Sequence, residues 1–425
     1  MKRRHRVAHR YPKPKRRRLR LRRRTVLKKT QVVARAAPAA PPPAPKEVPP
    51  PAPAPSREKG SGKRQILLCP GPVVTSQHVR SALLQPDMCH REPEFANLLQ
   101  NVRAKLLHVL GLDGRYIPVI LTGSGTAALE AAVMASVEPG KKLLVINNGV
   151  YGSRIAQAAR IHEIPLVEIR SPLTERPDLN RVVAAMKREP KIGTVAMVHH
   201  ETSTGLLNPV AEVGALTKQY KKKFLVDAIS SLGAERLDLV KSNVTFCVGS
   251  SGKCFHGLPG LSFVLVAQSE VPSVMKARPR SLYLDLGKHL KAQESGEPPF
   301  TPAVPLVIAF HAALDELLRE GLKSRMEKYQ ERAKFLREGF HKMGLSPLLD
   351  EKIMSNSLTS LLMPKGLSYQ QLHHLLKRHG FVIYAGQSEL RGRIFRVAHM
   401  GQLLQADLKE FLRVLKESLE RASAS

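Results

Sequence analysis

Short apolar runs alternate with amphipathic stretches along the chain between residues 115 and 267. Apolar runs that are rich in β-branched residues and bounded by Gly or Pro predict buried strands at residues 117–121, 142–146, 166–169, 194–198, 224–226, 245–248 and 261–267. Apolar residues at three- and four-residue spacing predict helices between them, at residues 126–137, 152–162, 179–188 and 210–220. This alternation predicts an α/β domain built on a mostly parallel sheet.

The pattern changes beyond about residue 292. Two long helices are predicted first, at residues 305–319 and 322–343. Shorter strands and helices follow, with strands at residues 357–363, 381–384 and 393–398 and helices at residues 369–379 and 404–421. We therefore predict a large α/β domain over residues 65–291, whose first segment, residues 65–80, packs near a smaller α+β domain over residues 292–425.

Residues 1–64 show neither pattern. They carry 22 Lys and Arg against 2 Glu, a net charge of +20 out of +33 for the whole chain. An arginine-rich run over residues 1–29 is followed by a Pro- and Ala-rich stretch over residues 31–63. Such composition buries too little apolar area to offset the entropy of ordering, so we predict a disordered tail. Non-specific contact with a polyanion such as nucleic acid and a solvated tail without a selected role both remain open for it.

Apolar runs and cysteines limit the class of protein further. No run of about 18 apolar residues occurs, so no membrane span is expected. The cysteines show neither CxxC pairs nor the spacing of metal ligands, and we expect buried free thiols at Cys69, Cys89, Cys247 and Cys254. Free thiols are typical of a reducing compartment, so we expect a cytoplasmic protein.

One lysine lies between the last two predicted strands of the α/β domain. Lys253 is in a loop of Gly, Ser and Cys that contains no acidic residue to pair with it. A lysine beside an apolar core is costly unless it has a partner or a covalent role. A Schiff base with an aldehyde cofactor is such a role, and an ordinary exposed loop lysine is the alternative.

Two stretches upstream favour the covalent role. Residues 122–126, here called the anion cup, follow a strand and begin a helix, so their N–H groups and hydroxyls can bind an anion. They match neither a P-loop nor a dinucleotide motif. Asp227 ends a predicted strand, where it is either a helix cap or the partner of a buried cation. With Lys253, these features describe the phosphate, ring nitrogen and aldehyde of pyridoxal phosphate.

Residues 67–401 resemble the class-V aminotransferases, which are pyridoxal-phosphate enzymes of fold type I. The segments that carry the resemblance are residues 70–72, 123–130, 148–152, 200–205, 226–231 and 250–253. Within the class, residues 89–95, the His-Glu-Thr run at 200–202 and residues 253–260 are most similar to 2-aminoethylphosphonate aminotransferases. Serine– or alanine–glyoxylate aminotransferases are the next nearest group.

The resemblance implies a function and an assembly. The expected reaction transfers the amino group of 2-aminoethylphosphonate to pyruvate in a homodimer, giving phosphonoacetaldehyde and alanine. A serine– or alanine–glyoxylate reaction of the same class is the alternative. A nucleic-acid-associated protein that acts through its basic tail is a third hypothesis, which the complete set of expected catalytic residues disfavours.

The resemblance also implies a role for each site residue. Lys253 forms the Schiff base with the cofactor and then moves a proton, while Asp227 keeps the ring nitrogen protonated. Tyr151 stacks on the ring, where many relatives carry Trp, and Thr202 lies near the ring hydroxyl. The phosphate is expected to be held by Ser124, Gly125, Thr126 and one of Ser250 and Ser251, with a weaker contact from Thr301 across a dimer interface.

Arg396 corresponds to the family arginine that binds the anionic group of the substrate, because a planar guanidinium suits carboxylate or phosphonate. Strand alternation directs Arg393 to the opposite face. His199, His200 and His256 do not have the spacing of a metal site. One departure from the family concerns Gly252, which replaces an Asn or Gln that helps hold the phosphate in relatives, and Ser250 or Ser251 could compensate for it.

Overall fold

The computed structural model describes residues 65–423, so the predictions for the tail over residues 1–64 lie outside the described residues. The strands are β1 Ile66–Leu67, β2 Tyr116–Thr122, β3 Lys142–Asn147, β4 Leu166–Arg170, β5 Ile192–Val198, β6 His200–Glu201, β7 Leu206–Leu207, β8 Lys223–Asp227, β9 Phe246–Ser250, β10 Leu261–Ala267, β11 Leu358–Leu362, β12 Phe381–Val382, β13 Tyr384–Ala385 and β14 Ile394–Ala398. The helices are α1 Gln77–Ser81, α2 Pro93–Leu110, α3 Gly125–Ser136, α4 Val150–Ile161, α5 Leu179–Arg188, α6 Val210–Gln219, α7 Val271–Lys276, α8 Leu286–Glu294, α9 Val304–Glu320, α10 Leu322–Lys342, α11 Tyr369–Arg378 and α12 Gln405–Ser423.

Seven strands form the central sheet, in the order β2-β10-β9-β8-β5-β3-β4. Every neighbouring pair is parallel except the two that involve β10, which runs antiparallel to β2 and β9. The predicted α/β class with a mostly parallel sheet is therefore confirmed.

Both faces of this sheet are buried by helices. Successive residues of β3 alternate between two cores, with Leu144 and Ile146 in one and Leu143 and Val145 in the other. Helices α2, α5, α6 and α9 cover the first face, and α3, α4 and α8 cover the second. Burial on both sides explains why these strands read as continuous apolar runs in the sequence.

A second, smaller layer follows the central sheet. Strands β11, β14 and β13 form an antiparallel sheet whose core includes apolar residues of α10, α11 and α12. Ile66 and Leu68 join this core, and β1 pairs with β12. Helix α9 packs on the large sheet although it follows residue 292, and the domain boundaries stay a prediction.

Some local expectations differ from the structure. The strand predicted at residues 381–384 is two short strands, β12 and β13, which belong to different sheets. Helices α7 and α8 were not predicted. Cys69, Cys247 and Cys254 are buried free thiols, whereas Cys89 is exposed, so the prediction of a buried thiol is wrong there. Across residues 65–423 no helix is both long and apolar enough to cross a membrane.

The sheet topology determines where a ligand can bind. Strands β2, β3, β5, β8 and β9 run in one direction, so their carboxyl ends lie along a single edge. The loops that leave this edge carry the anion cup, Tyr151, Thr202, Asp227 and Lys253. An open α/β sheet binds its ligands at this edge.

Candidate active site

Lys253 lies in the lysine loop, defined here as residues 251–260, between β9 and β10. Its Nζ donates a hydrogen bond to the carbonyl oxygen of Pro70. Burial lowers the pKa of the amine, and the positive charge of Arg154 acts in the same direction. A partly desolvated amine of lowered pKa is the kind of nucleophile that reacts with an aldehyde.

The segment over residues 70–72 crosses directly over the lysine side chain. Gly71 has φ +118°, and a Cβ at this position would lie 1.9 Å from Lys253 Nζ. Only glycine fits at this point without displacing the amine. The absence of a side chain at Gly71 thus leaves room for the lysine amine, which bonds the Pro70 carbonyl across 183 positions of sequence.

Asp227 ends β8 and is 3% exposed. Its Oδ1 accepts a hydrogen bond from the Ile229 N–H at 3.0 Å. Burial raises the pKa of this carboxyl to about 6, and the nearby carboxylate of Glu201 adds to the rise. The position consequently favours a cationic partner, which would stabilise the charged form.

The anion cup opens at the start of α3. The Ser124 side chain makes no capping hydrogen bond, so the first N–H groups of α3 have no side-chain cap. The Gly123 N–H donates to the Gly260 carbonyl at 2.8 Å, which ties the cup to the lysine loop. The Thr126 hydroxyl accepts a hydrogen bond from Arg154 Nη1 at 3.3 Å. Free N–H groups at a helix start bind anions readily.

Tyr151 lies in the first turn of α4, on the same edge. The fully buried carboxylate of Glu201 accepts hydrogen bonds from the N–H groups of Tyr151 at 3.1 Å and Gly152 at 3.2 Å. Ser203 Oγ donates to the same carboxylate at 2.6 Å. Burial raises the pKa of Glu201 and these donors oppose the rise. Glu201 thus holds the helix turn that carries the tyrosine ring.

Arg396 lies in β14 and is 2% exposed. Its Nε donates to the Ala385 carbonyl at 2.9 Å and its Nη1 to the Thr202 carbonyl at 2.7 Å. No carboxylate of residues 65–423 forms an ion pair with it. Burial accordingly lowers the pKa of the guanidinium, which favours an anionic ligand beside Thr202.

The hydroxyls of the two serines before Lys253 already donate hydrogen bonds to nearby backbone carbonyls. Ser250 Oγ donates to the Leu261 carbonyl at 3.2 Å, and Ser251 Oγ donates to the Leu258 carbonyl at 2.5 Å. Ser251 is fully buried, whereas Ser250 keeps 6% exposure. A Cβ on Gly252 would lie 2.8 Å from Pro259 Cα, so this loop leaves no room for a longer residue there.

Three further residues that the sequence analysis considered form no hydrogen bond with Lys253, Asp227 or Arg396 within the described residues. Thr301 is exposed in the segment before α9 and forms no hydrogen bond with the other predicted site residues of the described chain. Arg393 is exposed before β14. His200 is fully buried and bonded to Ser355 and Ser230. No cluster of three potential metal ligands occurs within residues 65–423.

Three supporting residues escaped the sequence reasoning. Glu201 lies within residues 200–205, one of the segments that carry the family resemblance, and Arg154 follows Tyr151 by one helical turn. The sequence therefore contained enough information to suggest both residues. Tyr329 of α10 had none. Its hydroxyl lies 2.9 Å from His256 Nε2 in the lysine loop and accepts from the Gly401 N–H at 3.3 Å, joining segments far apart in the chain.

The chain is similar to known transaminases over most of its length. Residues 77–404 match the family model described as aminotransferase class-V. A 2-aminoethylphosphonate–pyruvate transaminase of Vibrio cholerae is 36% identical over 360 residues, covering 83% of this chain and 97% of the relative. A protein of the same name from Bacillus cereus is 36% identical over 352 residues, covering 82% and 96%.

Solved structures agree with this assignment. The alanine–glyoxylate aminotransferase of Nostoc sp. superposes with a TM-score of 0.79 at 27% identity, covering 84% of this chain and 96% of that one. Its similarity confirms the predicted fold-type I architecture. Because the family model and the sequence relatives each span about four fifths of the chain, this protein belongs to the class-V aminotransferase family.

Proposed function

We propose that this chain is a pyridoxal-phosphate-dependent transaminase that moves the amino group of 2-aminoethylphosphonate to pyruvate. The products are phosphonoacetaldehyde and alanine. One observation carries the proposal: an amine, a buried carboxylate and a buried guanidinium without a carboxylate partner converge on the carboxyl edge of one sheet. The names of the Vibrio and Bacillus relatives support this choice of amino donor and acceptor.

The chemistry of these residues fits pyridoxal phosphate. Asp227 is a buried carboxyl that forms no ion pair within residues 65–423, and burial raises its pKa to about 6. A protonated pyridine nitrogen supplies that partner. The uncapped start of α3 suits a phosphate, and the Lys253 amine suits the aldehyde.

Each remaining residue has a role that follows from its position. The N–H groups of Gly125 and Thr126 and the Ser124 hydroxyl hold the phosphate at the anion cup. Of the two serines, only Ser250 retains some exposure, and its hydroxyl would have to turn away from the Leu261 carbonyl to reach a phosphate. The rings and hydroxyls that orient the cofactor are those of Tyr151 and Thr202.

When bound, pyridoxal phosphate supplies an electron-withdrawing ring that stabilises charge on the carbon bearing the amino group. Lys253 would hold the aldehyde through Nζ, and once the amino donor had displaced it, the freed Nζ could carry a proton. Its lowered pKa leaves more of the amine unprotonated near neutral pH than an exposed lysine would have. The carbonyl of Pro70 orients this nitrogen by accepting its hydrogen bond.

Arg396 binds the anionic end of the substrate. Its fixed bonds to the Ala385 and Thr202 carbonyls orient the guanidinium without neutralising it. A phosphonate or carboxylate can then form charge-assisted hydrogen bonds with the remaining N–H groups. The buried setting increases the strength of this contact, because solvent screens it poorly.

The experiment is a comparison of amino donors by steady-state kinetics. The wild-type protein should use 2-aminoethylphosphonate with pyruvate at a kcat/KM at least about tenfold above that for serine or alanine with glyoxylate. Arg396→Gln should lower kcat/KM for 2-aminoethylphosphonate about 100-fold, since it removes a buried charge-assisted contact. Arg393→Gln, a nearby exposed position, is the matched control. Preference for serine or alanine would refute the phosphonate assignment in favour of the glyoxylate reaction.

We further propose a cytoplasmic homodimer in which Thr301 contacts the phosphate of the partner's site. The exposure of Thr301 within one chain and the free thiols at the four cysteines support this arrangement. Residues 1–64 add a non-specific polyanion contact. Binding of RNA by the full chain should fall steeply with salt and be lost on deletion of residues 1–64.

A further inference from the structure

The phosphate site of this chain lacks several of its expected side-chain contacts. Gly252 has no side chain to offer, and Pro259 leaves no space for one. The hydroxyl of Ser250 donates its proton to the carbonyl of Leu261 at the start of β10, and that of Ser251 donates to the carbonyl of Leu258 in the lysine loop. The anion cup therefore depends on the backbone and hydroxyls at the start of α3, with no positive side chain from the lysine loop other than Lys253 itself.

Arg154 occupies the position that can make up this deficit. It lies on α4, three residues after Tyr151, and its guanidinium is 4.7 Å from the centre of the Tyr151 ring. Its Nη1 donates to Thr126 Oγ1 at 3.3 Å, at the start of α3. The guanidinium thus touches two residues that are expected to contact the cofactor, one at the ring and one at the phosphate.

Within residues 65–423, no carboxylate neutralises the charge of Arg154. No carboxylate of the described residues forms an ion pair with it, whereas Arg160 on the same helix pairs with Glu168. Its positive charge acts to lower the pKa of both Lys253 and Asp227, although burial is the larger influence on each. A partly buried guanidinium with several unused donors, beside a helix start, matches the geometry of a phosphate ligand.

We propose that Arg154 is a phosphate-binding residue of the cofactor site, which supplies the charge-assisted contact that Gly252 cannot provide. The inference rests on the proposed function, because the phosphate is that of the proposed cofactor. Thr126 orients the guanidinium through its hydroxyl, and the Tyr151 ring supports its face by a cation–π contact. Arg154 therefore links Tyr151, the residue expected to stack on the cofactor ring, to the anion cup.

The test measures how far the protein discriminates between pyridoxal phosphate and pyridoxal, which lacks the phosphate. Calorimetric titration of the cofactor-stripped full-length protein gives both dissociation constants for the wild type, Arg154→Gln and Arg154→Lys. Arg154→Gln should weaken pyridoxal phosphate binding about 10- to 100-fold and pyridoxal binding less than about threefold. Arg154→Lys should recover part of the loss, because lysine keeps the charge but not the planar fork.

The matched control is Arg160→Gln, the same change on an exposed face of α4, which should leave both constants within about twofold of the wild type. Equal weakening of both ligands by Arg154→Gln would show a structural role and overturn the proposal. Unchanged cofactor affinity with a raised KM for the amino donor would also overturn it, since Arg154 would then face the substrate. Failure of the wild type to bind pyridoxal phosphate would instead contradict the proposed function itself.

Discussion

Replacing Asp227 by Asn should make the cofactor-free protein more stable. The carboxyl has a pKa of about 6 in the folded protein against 3.8 as its ordinary value, because it is buried. Above pH 6 the folded state therefore carries a charge that the unfolded chain solvates better. A difference of about 2 pKa units corresponds to about 3 kcal/mol at 1.36 kcal/mol per unit. The asparagine oxygen keeps the hydrogen bond from Ile229, so we expect a gain of about 1–3 kcal/mol at pH 8.

The sign of the pH dependence follows from the raised pKa. The destabilising effect of Asp227 is complete above the folded pKa of about 6 and disappears as pH falls toward the unfolded value. Urea unfolding at pH 8 and pH 5 should show an advantage of Asp227→Asn that shrinks to about half at pH 5. Asp178→Asn is the control: Asp178 is the exposed N-cap of α5, and Asp and Asn cap helices about equally well. This substitution should change the free energy of unfolding by less than about 0.5 kcal/mol. A less stable Asp227→Asn protein at pH 8, or a gain independent of pH, would refute the reasoning.

Further predictions concern the residues that support the site. Glu201→Gln places an amide N–H₂ against backbone N–H groups in either orientation, those of Tyr151 and Gly152 or that of Ser203. It should lower the free energy of unfolding by about 1–3 kcal/mol in urea denaturation. The exposed control Glu212→Gln should change it by less than about 0.5 kcal/mol, and equal effects would contradict this role. Tyr329→Phe removes the hydroxyl that bonds His256, so the lysine loop loses an anchor. Steady-state kinetics should show a kcat about tenfold lower with little change in KM, and a change in KM alone would argue against positioning of the lysine.

Local patterns in the sequence were sufficient to predict the strands of the large sheet. Strands β3 and β5 are buried on both faces, so their apolar runs are uninterrupted and bounded by turn residues. The two-residue strands β12 and β13 carry no periodicity, and only the pairing of β12 with β1 and of β13 with β14 separates them. Exposure of Cys89 depends on how the segment before α2 packs, which composition does not encode.

The candidate site likewise contains residues that local sequence patterns indicate and contacts that only the folded chain creates. Lys253 and Asp227 were predicted as site residues from their loop and strand-end positions, because parallel strands place such ends together. The contact between Tyr329 and His256 of the lysine loop joins residues 73 positions apart and depends on the packing of α10. No local motif therefore predicts it. The hydroxyl orientations of Ser250 and Ser251 likewise depend on the carbonyls that the folded loop presents.

We propose that Lys253 binds pyridoxal phosphate and that 2-aminoethylphosphonate is the amino donor. The most direct measurement is the visible absorbance of the purified protein loaded with pyridoxal phosphate and titrated with 2-aminoethylphosphonate in the absence of a keto acid. The wild type should lose the band of the lysine-bound cofactor, pyruvate should restore it, and Lys253→Ala should not turn over. A band that only serine or alanine removes would contradict the phosphonate assignment, and the absence of any band after addition of pyridoxal phosphate would contradict the catalytic account as a whole.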